Sequence, residues 1–191
     1  TTAQVSDLTT TLVKALSTGQ LAAMETADVA VLNSSNLAVL SSVQVQALTT
    51  AQIVAMNSAQ LGSLTTAQLS RFSEKQLQAV ETADLAGLTT QQVRALSDDQ
   101  VRWLQTSQVM ALKVAQVAAL STSQVANLEK ADVAVLTSAQ ILALATDQVS
   151  ALQADQVTVM TTAQVAAMRS EQIAALSSAN ISSMTTAQLV A

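Results

Sequence analysis

The stretch LTTAQIVAMNSAQLGSLTTAQL at residues 48–69 says nearly one phrase three times: TTAQI at 49–53, NSAQL at 57–61 and TTAQL at 65–69. The offset is eight residues. It holds from Thr1 onward through twenty-three full octads and a final TTAQLVA, without an insertion. Self-similarity at a fixed period is the sequence signature of a repeat architecture. The consensus is [T/S]-[T/S]-A-Q-V-x-A-L. Position five is always Val, Ile or Leu, and position eight is apolar throughout. Two fixed apolar positions beside freely varying ones describe a repeated buried face and a repeated solvent face.

The backbone that carries such an octad follows from its phase. In one continuous helix, eight residues would advance the apolar pair by about 80° per repeat, so the stripe would wind round the cylinder and bury nothing consistently. A β-solenoid would send positions five and eight to opposite faces of a strand. The remaining arrangement is one short helix per octad. Thr49 and Gln52, Thr65 and Gln68, and Thr161 and Gln164 have the S/T-x-x-Q spacing of a capping box, in which the hydroxyl accepts from the N3 amide and the Gln side chain returns to the N-cap amide. Leu48 and Ile53 have the spacing of a hydrophobic staple across the same helix start. Position two is Ser or Thr in nineteen octads and position one in fourteen, which leaves the N-cap register open by one residue.

Helices this short do not survive alone, because nucleation is costly. The expected fold is therefore all-α: a single continuous solenoid over residues 1–191, built of about 24 short helices with three or four per turn. Ile53, Met56, Leu61, Leu64, Val165 and Met168 represent its interior positions. Ala at position seven is expected to let neighbouring backbones approach.

Composition removes several functional classes. There is no Cys and no His, so the commonest thiol, general-base and transition-metal chemistries are missing. The abundant Ser and Thr have no visible base to activate them, and an enzyme is not expected. No cofactor is implied. The three glycines stand singly and make no phosphate loop. The net charge of −5, with no basic stripe, argues against nucleic acid. No apolar run is long enough for a membrane span.

Three octads change two positions together: Glu25 with Asp28, Glu81 with Asp84, and Glu129 with Asp132. Paired carboxylates one helical turn apart suit the positive end of a helix. They are also candidates for a shared hard cation, although calcium asks for six or more oxygens and each octad offers two side chains. A second departure is regional. Nine of the twenty-one charged residues lie within residues 71–102, and the two aromatics, Phe72 and Trp103, flank the same zone. Arg71, Phe72, Arg94, Arg102 and Trp103 are the candidates for partner binding, with Trp103 too large for its usual alanine site; the other reading is ordinary variation at exposed positions, with Phe72 filling a core site.

Tandem octads such as TTAQVAAM at residues 161–168 resemble the LTTAQVAAL-type arrays of very large bacterial surface proteins, often described as adhesin-like. The resemblance covers the whole chain. It implies an extracellular or cell-surface setting and a structural role. The functional expectation is a rod, spacer or filament segment that self-associates end to end or laterally, with low surface charge offering little repulsion between copies. A binding or adhesion module using residues 71–103 is the alternative. An ice-binding surface of paired threonines is a lesser one.

Overall fold

A computed structural model describes residues 1–191. It holds twenty-four α-helices, one per octad, from Thr2–Ser6 to Thr186–Leu189, and no strand. The chain divides into two compact units, Thr1–Leu96 and Ser97–Ala191. Within each unit, helices three apart in the chain pack on one another. Thr50–Val54 thus lies between Thr26–Val31 and Glu74–Gln78, and Lys130–Val135 lies between Thr106–Ala111 and Ala154–Thr158. Each unit is an α-solenoid with three octads, or 24 residues, per turn.

The corners explain why a chain with so little glycine and no proline turns so often. Position eight and position one are both extended: Leu16 has φ −62° and ψ 135°, and Ser17 has φ −73° and ψ 160°. Leu144 and Ala145 repeat the pair at φ −64°, ψ 139° and φ −72°, ψ 159°. These are polyproline-like values that any L-residue adopts, and no residue in the chain has positive φ. Two extended residues end one helix, redirect the chain and place a capping group for the next.

Positions five and eight fill the interior. Ile53, Met56, Leu61, Leu64 and Val165 are buried, and so is Phe72 at a position eight. Met168 is only half-buried, because it lines the open apolar groove shared with Met184 and Leu189. Position seven is not a buried position in general. Ala47, Ala55 and Trp103 are partly exposed there and Arg71 is exposed. The bulky Trp103 is thus accommodated as the C-cap of its helix, at φ −75° and ψ −15°. A close approach is seen at Gly87, a position seven, which meets the carbonyl of Ser58, while Gly62 meets the carbonyl of Gly87. A Cβ on either glycine would overlap backbone atoms of the neighbouring turn.

Candidate functional site

The most repeated polar feature is the side chain at position four. Gln52 Oε1 accepts the Thr49 N–H at 2.8 Å, and Thr49 Oγ1 accepts the Gln52 N–H at 3.2 Å. The same reciprocal box closes at Thr65 with Gln68 and at Thr161 with Gln164. The N-cap is therefore position one, and position two is the first helical residue. Where position one has no hydroxyl, the glutamine half persists: the N–H groups of Lys113, Ala145 and Arg169 donate to Gln116, Gln148 and Gln172.

The other end of the same amide reaches the turn before. Gln52 Nε2 donates to the carbonyls of Leu21 and Met24, both at 2.8 Å. Gln60 reaches Val29 and Leu32, and Gln68 reaches Leu37 and Leu40. In the second unit Gln156 reaches Val125 and Leu128, and Gln164 reaches Val133 and Leu136. These acceptors sit at helix C-termini and corners, where carbonyls lack partners within their own helix. One buried amide thus satisfies the start of its own helix and the end of a helix 28 to 31 residues earlier. Asn36 and Asn180, shorter by a methylene, keep a single clasp, to Leu8 and Leu152.

The layer-to-layer clasp is absent from the capping-box reading, although its signal is in the sequence. A capping box accepts Glu as readily as Gln. Position four holds Gln in eighteen octads, Asn in two and Glu in none. Asp stands there in three octads and Leu in one, so a side-chain N–H is strongly preferred, and a donor to something outside the box explains the preference for Gln over Glu. Leu12, the one apolar residue at this position, lies 55% exposed and makes no clasp.

The acidic octads behave differently from one another. Glu25, Glu81 and Glu129 occupy N-caps without a side-chain capping bond, and all three are exposed. Asp28 and Asp84 are partly exposed in the first helical turn. Asp132 is 1% exposed, and its Oδ2 has no hydrogen-bond partner. Burial pushes the Asp132 carboxyl above the usual carboxylate range, opposed in part by the Thr106 hydroxyl and the Glu129 backbone. Glu129 itself turns outward to Arg102, with 3.6 Å between Arg102 Nε and Glu129 Oε1. No three acidic side chains gather around a common point. Glu129 and Asp132 are therefore separate features, one an exposed residue paired with Arg102 and the other a buried carboxyl.

The five aromatic and arginine candidates are split between the units. Arg71 and Arg94 are exposed in the first, where Phe72 is 2% exposed and belongs to the core rather than to a partner-facing surface. Arg102 and Trp103 belong to the second. At its last turn, the second unit carries an open apolar groove of about 320 Å³ lined by Val165, Met168, Ile173, Ile181, Met184 and Leu189.

This architecture has a counterpart among known repeats. The profile of the ALTTAQ repeat matches residues 21–58, 46–74, 77–114 and 125–162, together well over half of the chain. The chain belongs to the ALTTAQ repeat family. No curated protein matches it. The six letters of ALTTAQ occur here as residues 47–52 and carry structural meaning. They begin at the helix C-cap Ala47, pass through the corner at Leu48 and Thr49, and end on Gln52, the clasp to the turn before. No helix in this ALTTAQ array is long and apolar enough to cross a membrane.

Proposed function

We propose that this ALTTAQ array is a non-catalytic structural segment, an extracellular rod, spacer or filament element, in which the end turns of two copies dock end to end. The observation that carries the reading is the groove at the last turn. Ile173, Ile181 and Met184 occupy positions five and eight, the positions buried throughout the interior, yet here they are partly exposed. Ordinary burial of such side chains is worth about 1.5–3 kcal/mol each, which favours covering them with another turn of the same kind. The first turn is complementary. Gln4 and Gln20 are exposed there at the clasping position.

A heterologous contact of this kind propagates rather than closes. The extracellular setting is supported by the resemblance to surface-protein arrays. A non-catalytic role is supported by the absence of His and Cys and by the repetition of one octad without a distinctive cleft. Light scattering with negative-stain electron microscopy on the purified chain tests the reading. The expected result is concentration-dependent filaments that are lost on Met184→Asp. Uniform monomers at all concentrations would overturn end-to-end docking.

A further inference from the structure

Oδ2 of Asp132 is a buried oxygen without a hydrogen-bond partner in a structure whose buried position-four amides form a ladder. The ladder has a fixed reach. From position four, Gln140, Gln148 and Gln156 donate to the carbonyls of Leu112, Leu120 and Leu128, each 28 residues earlier. Asn180, which has the shape of aspartate, donates to Leu152 over the same offset at 2.8 Å. Applied to Asp132, that offset ends on the carbonyl of Leu104. An ionised aspartate has only acceptors to offer, and a carbonyl has only acceptors. That register brings two acceptors together in a dry interior, which needs something positive between them.

We propose that Asp132 is a proton-binding site: in the folded chain its Oδ2 carries a proton and donates it to the Leu104 carbonyl. This rung of the ladder then holds only while it is protonated, unlike the amide rungs around it.

The surroundings fit a proton better than a metal ion. The preceding-turn helix Thr106–Ala111 contributes no charged side chain. The following-turn helix Ala154–Thr158 contributes Asp155. Glu129 and Lys130 flank the start of Asp132's own helix, and Arg102 is drawn to Glu129. A hard cation asks for six or more oxygens, and no third acidic group is present. Burial raises the Asp132 carboxyl most; hydrogen bonds from the Thr106 side chain and the Glu129 backbone lower it, and the neighbouring Glu129 charge raises it, leaving it raised on balance. A folded-state pKa above the unfolded one means that the stabilisation is complete at acidic pH. It is lost as pH rises through the folded value.

The test compares the full chain with Asp132→Asn, which copies the residue at 180 and supplies a permanent donor. Thermal melts are recorded from about pH 4 to about pH 9, on either side of a raised carboxyl. In parallel, the side-chain carboxyl carbon of Asp132 is followed by NMR in the unmodified protein, a readout that does not depend on the variant folding. The expected result is a carboxyl that titrates above the usual range. The wild-type melting temperature should fall progressively below that of Asp132→Asn as pH rises. A pH-independent difference between the two proteins, or a carboxyl already ionised in the usual range, would overturn the proposal. So would calcium or sodium chloride raising the melting temperature of the wild type but not of the variant, since a cation would then occupy the proton's place.

Discussion

The octads at residues 49–56 and 129–136 share a backbone and a buried pair, Ile53 with Met56 in one and Val133 with Leu136 in the other. They grip the preceding turn by different means. Gln52 places an N–H donor between two carbonyls and an acceptor at its own N-cap. Asp132 occupies the same position with a carboxyl whose Oδ2 finds no partner. The contrast separates two jobs within one octad. Positions five and eight determine that the chain coils, and they tolerate any aliphatic side chain of about the right size. Position four determines how firmly one turn holds the next, and it depends on donor chemistry.

The hardest way to break the comparison is to remove what the two octads share. A charge at either interior position, Ile53→Asp or Val133→Asp, is expected to cost more than about 4 kcal/mol. Chemical denaturation should show equal damage in both octads. A more selective change is Gln52→Glu, which keeps the N-cap acceptor and replaces the clasping donor by an oxygen. About 3 kcal/mol should be lost at neutral pH. The introduced carboxyl would have a raised pKa in the fold, so the loss should shrink as the sample is acidified and the glutamate becomes a donor. Denaturation midpoints across pH would show an Asp132-like rung created where none existed. Gly87→Ala forces a Cβ into the Ser58 carbonyl and is expected to cost about 2 kcal/mol, measurable in the same assay. Thr49→Ala removes one half of a capping box and should cost about 1 kcal/mol, while the Gln52 half remains, as it does at Ala145. The smallest effect belongs to Arg102→Ala. Its ion pair with Glu129 is more than half exposed on both sides, and a loss of ~0.5 kcal/mol or less is expected.

Much of this fold was legible in eight letters. The spacing of Ile53 and Met56 excluded a continuous helix and a strand, and Thr49 with Gln52 marked a helix start. The hidden part depends on a longer period. Gln52 meets Leu21 and Met24 only because three octads complete a turn, and a repeat of eight contains nothing that states the number three. The same gap concealed Gly62 and Gly87, which are single glycines in the sequence and neighbours across one layer. Phe72 looked like a contact residue because aromatics are rare here. Its place at position eight, the apolar column, was the better guide to its burial.

The three-octad turn gives each unit three edges, and a side chain reappears on the same edge every 24 residues. Substitutions at outward positions can therefore be addressed. Changes made in every third octad decorate one edge as a line, and moving the whole set by one octad shifts the line to the next edge with the core untouched. Whole octads can be added or removed in the same way, provided the incoming unit brings its amide. The array is in this sense a ruler whose length and markings can be edited independently.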